Sequence, residues 1–194
     1  MEYYLSLLTF TLVTCITPGP NNLMLLASGL NHGVKSSLPH YFGISIGFFT
    51  LVLMVAFGLG SFLKAFPGLF SVMKWLGASY LIFLAWKIAR SGSSDVSAAI
   101  KKPLTFIQAA AFQYVNPKTW VMAIAAITTF SRDSKVGSAA VIVAAFLVTG
   151  LFSQGVWLLS GQGLQGFLRM EKSVIVFNYV MGTLLILSVI PMVL

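Results

Sequence analysis

The chain has 194 residues, of which 58% are hydrophobic and 8% are charged, and its mean hydropathy is +0.92. Soluble domains carry about 25% charged residues, so the composition excludes an ordinary soluble domain and indicates an integral membrane protein. The formal net charge is +8, but the basic residues are scattered between apolar runs, which is typical of membrane loops. We therefore expect a lipid environment and no nucleic-acid partner. Cys15 is the single cysteine, so no intrachain disulfide is expected.

Six apolar segments are long enough to cross a bilayer, because a helix needs about 20 apolar residues to span the hydrocarbon core. They cover residues 4–30, 38–63, 68–89, 104–130, 137–162 and 174–193. The runs are too long for strands and lack a two-residue alternation. The N-terminus has no basic signal-peptide region, so we expect the first segment to remain a span. The sequence thus predicts an all-α membrane protein with six transmembrane helices.

The basic residues are distributed unequally between the two sides of such a bundle. The loops after spans 1, 3 and 5 hold seven of them: Lys35, Lys87, Arg90, Lys101, Lys102, Arg169 and Lys172. The loops after spans 2 and 4 hold three: Lys64, Arg132 and Lys135. Because the more basic loops stay in the cytoplasm, we predict that both termini face the outside.

The polar segment 91–102 divides this single membrane domain, 1–194, into a first half, 1–90, and a second half, 103–194. Each half holds three spans, so two related halves would insert in opposite orientations, as in many transporters. The matching positions are Thr17-Pro18 with Asn116-Pro117, Gly43 and Gly47 with Gly150 and Gly155, and Gly77 with Gly182. They predict an inverted 3+3 repeat; chance recurrence of glycine in membrane helices is the alternative.

One hexapeptide interrupts the first span. It consists of Thr17, Pro18, Gly19, Pro20, Asn21 and Asn22. The prolines cannot donate helical hydrogen bonds, so we predict a broken or kinked helix. The helix that restarts near the second proline would present free N–H groups, which suit a carboxylate, and the two amides would add polar contacts. The alternative is a proline kink in which the asparagines cap freed backbone groups.

A second interruption, Asn116-Pro117-Lys118, lies near the middle of span 4. A lysine within the membrane is costly and is a functional hypothesis by default. We interpret Lys118 as a counter-ion for a substrate carboxylate or as a proton carrier; a shifted span boundary is the alternative. Gln113, about one turn earlier, adds a polar side chain to the same region.

Acidic residues are absent from the predicted spans: Glu2, Asp95, Asp133 and Glu171 lie at ends or in loops. A neutral or zwitterionic solute is therefore favoured over a basic one. If transport is proton-coupled, Lys118 and His40 are the candidates. His40 follows Pro39 at the start of span 2, and we interpret it as an interfacial residue, with a proton relay as the alternative. Enzyme, phosphate-loop and metal motifs are absent, so no catalysis, cofactor or metal is expected.

Gly43 and Gly47 give span 2 a small-residue face for close helix packing. This face serves either the fold or a homodimer, and the sequence does not choose between them. Trp120 and Trp157 are too deep for an interfacial belt. We interpret them as packing residues, with the wall of a cavity as the alternative.

Several motifs together resemble the LysE superfamily of exporters. They are Thr17–Asn22, His32-Gly33, Gly43 and Gly47, Leu76–Leu81, Trp86-Lys87 and Phe112–Lys118. The similarity runs from about residue 10 to 190 and is closer to the homoserine/threonine-resistance (RhtB) branch. Ala85–Ala89 and Phe112–Asn116 look most like its cysteine/O-acetylserine exporters. The resemblance implies an inner-membrane amino-acid exporter, driven by the proton motive force. Basic-amino-acid exporters of the superfamily use acidic residues within the membrane; this chain lacks them, which puts lysine and arginine in doubt as substrates.

These observations predict a secondary transporter of the bacterial inner membrane that exports a neutral amino acid or derivative, of the cysteine/O-acetylserine or homoserine/threonine type. The substrate would lie between spans 1 and 4. The expected substrate-binding residues are Pro18, Gly19, Pro20, Asn21, Asn22, Gln113, Asn116, Pro117 and Lys118. An uncoupled channel or scramblase-like pore and a structural membrane subunit are the alternatives.

Overall fold

The structure, a computed structural model, describes residues 1–59, 67–89, 103–131, 135–165 and 171–193. Within these ranges all regular structure is helical, as the sequence predicts. The elements are α1 (Glu2–Ile16), α2 (Pro20–Met54) with a π-helical turn (Val55–Leu59), α3 (Pro67–Ala89), α4 (Phe106–Val115), α5 (Pro117–Phe130), α6 (Lys135–Leu164) and α7 (Glu171–Val193). The predicted linker, 91–102, lies outside the described residues.

Both proline motifs interrupt a helix. Helix α1 ends before Thr17 and α2 begins at Pro20, while α4 ends before Asn116 and α5 begins at Pro117. Each restarting helix has proline in its first turn, where the missing N–H is no loss. In both cases the preceding residue, Gly19 or Asn116, is extended. Pro20 and Pro117 thus occupy the same position, the first turn of the helix that restarts after each break.

Helix α2 reverses direction at Gly33, whose φ of 73° and ψ of 172° are not helical. The Oγ atoms of Ser28 and Ser37 lie 2.7 Å apart. Nine residues of straight helix rise about 13.5 Å, so this contact requires a hairpin. A side chain at a positive φ would be strained, which explains the glycine. The turn lies between the predicted spans 4–30 and 38–63 and gives α2 two antiparallel arms, 20–32 and 34–54.

Helix α6 is the centre of the packing, because it contacts both α1 and α2. Ser153 of α6 contacts Cys15, and Gly161 of α6 lies against Leu26. Residue numbers rise together along the two segments, so α6 runs parallel to α1 and the first arm of α2. It runs antiparallel to the second arm, which in turn packs on α4. Helices α3 and α7 pack against each other.

Glycines bring these helices into close contact. A Cβ added at Gly43 would clash with Phe106 O, and one at Gly47 would lie 2.6 Å from the Ala110 Cα. Within the described residues these two glycines thus serve the fold, by packing α2 on α4. The crossing of α2 and α6 depends on a reciprocal pair, Gly29 and Gly161, which the sequence analysis did not single out: each would meet a backbone carbonyl of the other helix if it carried a Cβ.

Apolar side chains cover the outside of the helices, while polar groups lie inside. Large exposed hydrophobic residues include Leu5, Phe42, Ile107, Phe152 and Leu159. Asn22, Gln113, Asn116, Ser153 and Gln154 are buried. Such continuous apolar exposure is unusual for a soluble monomer and fits a lipid-facing surface. Two described segments, Pro20–Gly58 and Gly137–Leu164, pass a length and hydropathy test for membrane spans, although the first contains the Gly33 reversal.

Candidate functional site

A cavity of about 420 Å³, including the space at its mouth, lies where the two helix breaks meet. Its lining combines polar groups from the breaks with apolar side chains from α2 and α5. The lining residues are Thr14, Cys15, Gly19, Pro20, Asn21, Asn22, Ile44, Phe48, Asn116, Lys118, Thr119, Met122 and Gln154.

The structure brings together most of the residues expected to bind substrate. Gly19, Pro20, Asn21, Asn22, Asn116 and Lys118 line the cavity. Pro18, Gln113 and Pro117 are outside the lining. Pro18 is exposed, whereas Gln113 and Pro117 are buried behind the cavity wall. Pro18 and Pro117 therefore act by breaking the helices, whereas Pro20 also lines the cavity.

Lys118 links the two breaks. Its Nζ donates to Thr17 O at 2.9 Å and to Thr17 Oγ1 at 3.1 Å. A Cβ added at Gly19 would lie 2.9 Å from the same Nζ, so the glycine makes room for the lysine. The side chain is half-buried, and no carboxylate lines the cavity. A lysine ammonium has three donors, so at least one remains for a ligand.

The carbonyls freed at the end of α1 are bound by side chains from several elements. Cys15 O accepts from Asn22 Nδ2 at 2.7 Å and from Ser153 Oγ at 2.8 Å. Ile16 O accepts from Trp157 Nε1 at 3.2 Å. Thr17 O accepts from Asn22 Nδ2 at 3.0 Å in addition to Lys118. The first break is thus held by α6 and α5 as well as by its own motif, as an interrupted helix within a membrane requires.

The second break is satisfied by neighbouring residues. Thr119 Oγ1 lies 2.7 Å from Gln113 O and 2.6 Å from Asn116 O. Trp120 Nε1 donates to Tyr114 O at 2.9 Å. Asn116 Oδ1 accepts from Lys118 N at 3.1 Å, which caps α5. This break needs no distant donor for these groups.

The start of α2 offers backbone donors to the cavity. Leu23 N donates to Gly19 O at 3.0 Å. The N–H groups of Asn21 and Asn22 have no acceptor among the described residues. Helix N-termini of this kind bind anions, because the free N–H groups and the helix dipole both favour negative charge.

Asn21 and Gln113 form a reciprocal amide pair across the two halves of the chain. Asn21 Nδ2 donates to Gln113 Oε1 at 2.7 Å, and Gln113 Nε2 donates to Asn21 Oδ1 at 3.1 Å. Gln113 Nε2 also lies 2.9 Å from Ala109 O. The pair fixes the start of α2 against α4, so Gln113 contributes behind the cavity wall.

His40 lies in a different cavity, of about 360 Å³. This cavity is lined by Met24, Ala27, Ser28, His32, His40, Leu84, Pro103 and Leu104. His40 is 2% exposed, and neither of its ring nitrogens has a hydrogen-bond partner among the described residues. The first arm of α2, which folds back at Gly33, contributes Met24, Ala27 and Ser28 to this enclosure, and the position of His40 at the membrane interface stays a prediction.

The sequence analysis missed several residues of the site. Gln154 lines the cavity, Thr119 and Ser153 bind freed carbonyls, and Trp120 and Trp157 donate to the breaks rather than only packing. Thr119 could have been found, because a threonine hydroxyl in a helix commonly bonds the carbonyl three or four residues earlier, here Asn116 O. The contacts of Ser153 and Trp157 join residues 138 and 141 positions apart, so no local pattern indicated them.

The helices, the apolar outer surface and the cavity at two broken helices define a membrane protein with an internal small-molecule site. The family model described as LysE type translocator matches residues 12–190. The chain belongs to this LysE family of translocators. It is 34% identical over 163 residues to the cysteine/O-acetylserine efflux proteins of Salmonella choleraesuis and Salmonella typhimurium, with 83% of each chain covered. It is 33% identical to the protein of the same name from Escherichia coli K12, with the same coverage. No solved structure matches the chain.

Proposed function

We propose that the protein is a secondary transporter that exports a small neutral amino acid or derivative across the bacterial inner membrane. The names of its relatives, cysteine/O-acetylserine efflux proteins, favour cysteine and O-acetylserine; homoserine and threonine belong to the same chemical class. The absence of a carboxylate from the cavity lining supports a substrate without a cationic side chain. Six spans, an inverted 3+3 repeat and external termini are parts of the same proposal.

The observation that carries the proposal is the contact of Lys118 with Thr17 across two breaks in one cavity. A substrate carboxylate would bind Lys118 Nζ and the free N–H groups of Asn21 and Asn22. Drawing Lys118 away from Thr17 O would release that carbonyl to accept from the substrate ammonium. Binding would thus exchange a contact between the breaks for two contacts with substrate, which gives substrate a direct influence on the relative position of the two halves.

Asn22 and Asn116 take a different role from the one expected. Both line the cavity, but the amide nitrogen of Asn22 is bound to freed carbonyls, and the amide oxygen of Asn116 caps α5. We assign them to holding the breaks in shape, while Lys118 and the start of α2 bind substrate.

The repeat is supported by corresponding contacts. Helix α1 packs on α6, and its proposed counterpart α4 packs on the second arm of α2, the proposed counterpart of α6. Helices α3 and α7, the third element of each half, pack on each other. In the proposed mechanism the two halves rock about the cavity and open it to each side in turn.

The experiment is counterflow in proteoliposomes, with labelled cysteine, O-acetylserine, homoserine, threonine and lysine as candidate substrates. A carrier shows uptake stimulated by the same solute inside, whereas a pore does not. We expect stimulation by a neutral amino acid and none by lysine. Lys118→Gln should reduce it roughly tenfold or more, because a hydrogen bond to a charged group contributes about 1.5–3 kcal/mol. The control is Lys35→Gln, which removes an exposed lysine at the hairpin.

Three outcomes would contradict the proposal. Wild-type counterflow by Lys118→Gln would remove the lysine from the mechanism. Flux without trans-stimulation would favour an uncoupled channel or scramblase-like pore. A constant partner protein with no amino-acid flux would favour a structural subunit.

Coupling to the proton motive force is a separate part of the proposal, with Lys118 and His40 as the candidate proton carriers. The enclosure of His40 in its own cavity supports its candidacy, because a buried imidazole without a protein partner is costly unless something occupies it. An imposed pH gradient should drive accumulation in proteoliposomes. His40→Gln should abolish this accumulation and leave counterflow intact; gradient-driven accumulation at the wild-type level would exclude His40.

A further inference from the structure

Gln154, on α6, is a polar side chain of the cavity that the mechanism above does not use. Its side chain is 7% exposed. Ser45 Oγ lies 2.8 Å from its Oε1 and 3.1 Å from Tyr41 O; the hydroxyl proton, donated to the nearer oxygen, orients the amide. Its Nε2 donates to no group among the described residues, so this donor is available to a ligand.

A second, narrow cavity, of about 260 Å³ including the space at its mouth, adjoins this amide between α2 and α6. Phe48 and Gln154 line both cavities. Apart from Ser45 and Gln154, the residues around the second cavity are apolar. Gly150 lies beside the amide: a Cβ placed there would be 3.6 Å from Gln154 Nε2 and 3.9 Å from Cys15 Sγ. The donor is thus next to the Cys15 side of the first cavity, at the boundary with an apolar space.

O-acetylserine and cysteine differ in the groups that they would present to this donor and to the apolar space. An ester carbonyl only accepts hydrogen bonds, and an acetyl group carries a methyl group that favours apolar surroundings. A thiol is small and is both a weak donor and a weak acceptor. An amide N–H beside an apolar space therefore matches an O-acylated amino acid and adds little for cysteine.

We propose that Gln154 is a specificity-determining residue, whose Nε2 binds the acyl carbonyl of an O-acylated amino acid while the acyl methyl group enters the apolar space beyond Phe48. The inference rests on the proposed function and deepens it. Substrate would lie with its carboxylate at Lys118 and its side chain directed toward α6. Ser45 acts as a positioning residue, since it holds the amide oxygen and so turns the nitrogen toward the first cavity.

The test is counterflow by the full chain in proteoliposomes at mildly acidic pH, where acyl migration is slow. The half-saturating concentrations of O-acetylserine and cysteine are compared for each variant. Gln154→Leu should raise the value for O-acetylserine roughly 3- to 10-fold, the loss of one neutral hydrogen bond, and leave that for cysteine nearly unchanged. Gln154→Met keeps the length of the side chain but has no N–H donor, so it should lose the same preference. Ser45→Ala should give a smaller loss in the same direction.

The matched control is Gln162→Leu. It makes the same substitution two turns along α6, where the amide bonds Val34 N and does not line the cavity, and it should leave the ratio of the two substrates unchanged. Gln154→Met, which keeps the length of the side chain, replaces the leucine variant if that variant does not insert.

Equal changes for both substrates, or no change, would overturn the inference, as would retention of O-acetylserine preference by Gln154→Met. Failure of the proposed function is distinguishable from these results, because the wild-type protein would then show no counterflow with either substrate.

Discussion

The two helix breaks line one cavity, but they satisfy their backbone groups in different ways. At the first break, Ser153 and Trp157 reach the freed carbonyls from α6, and Lys118 reaches them from α5. At the second break, Thr119 and Trp120 donate hydrogen bonds to carbonyls only three to six residues earlier in the chain. The shape of the second break, which carries Lys118, is thus fixed by local hydrogen bonds. The shape of the first break depends on how other helices pack around it.

This difference suggests which break moves. A locally satisfied break keeps its hydrogen bonds when the two halves shift. A break held by distant donors must exchange them, and substrate can supply replacements. Apart from changes to Lys118 itself, changes at the second break should therefore affect folding more than transport, and changes at the first should affect transport more than folding.

The largest expected effect comes from Gly77, which lies on α3 beside the second break. A Cβ at this position would clash with Val115 O, the last carbonyl of α4. The added Cβ would meet a backbone atom, which cannot move aside as the end of a side chain can. Gly77→Ala should therefore destabilise the protein by several kcal/mol, at or above the roughly 1–3 kcal/mol typical of overpacking. We expect little folded protein by size-exclusion chromatography in detergent. Gly68→Ala, on the same helix but with open space around the added Cβ, is the control. Normal yield and melting temperature of Gly77→Ala would show that the second break is not tightly enclosed.

The next prediction compares two side chains that bind freed carbonyls, one at each break. Thr119→Val keeps the shape but leaves Gln113 O without its donor, so it should destabilise by about 1–3 kcal/mol, with counterflow retained per folded molecule. Asn22→Ala leaves Ser153 on Cys15 O and Lys118 on Thr17 O, so its effect on stability should be smaller. Its effect on counterflow should be larger, because the start of α2 is no longer held. Thermal unfolding and counterflow of the two variants, measured side by side, check this; the reverse ranking would remove the proposed division between the breaks.

The sequence predicts the breaks themselves but not what holds them. Proline chemistry is local, so Thr17–Asn22 and Asn116–Lys118 indicate both interruptions, and Gly33 lies between two predicted spans. The partners of the freed carbonyls depend on which helices pack together, and nothing near Cys15 or Ile16 in the chain indicates Ser153 or Trp157. The same limit applies to His40: its place in the sequence looks like the start of a span, and it is enclosed by distant residues such as Met24, Leu84 and Leu104.

Trp120 and Trp157 allow a comparison, with smaller expected effects on stability, between a local and a distant hydrogen bond to a freed carbonyl. Trp120 is 2% exposed and donates to Tyr114 O, while Trp157 is half-buried and donates to Ile16 O. Replacement by Phe removes the N–H from each and keeps most of the apolar surface. Trp120→Phe should lower stability by about 1–2 kcal/mol, and Trp157→Phe by about 0.5–1 kcal/mol. Thermal unfolding separates them, and a larger loss for Trp157 would show that the first break is the more rigid one.

The last effect concerns the coupling within the amide pair of Asn21 and Gln113, the one direct side-chain link described above between the start of α2 and α4. Each replacement by Leu removes two mutual hydrogen bonds, so the double variant should lose less stability than the two single variants together. We expect a coupling free energy of about 0.5–2 kcal/mol from a double-mutant cycle. Asn21→Leu should also weaken substrate binding more than Gln113→Leu, because only Asn21 lines the cavity. Additive effects would mean that the amides act independently, and the start of α2 would then be positioned by its carbonyl contacts alone, which would make the first break still more dependent on α6.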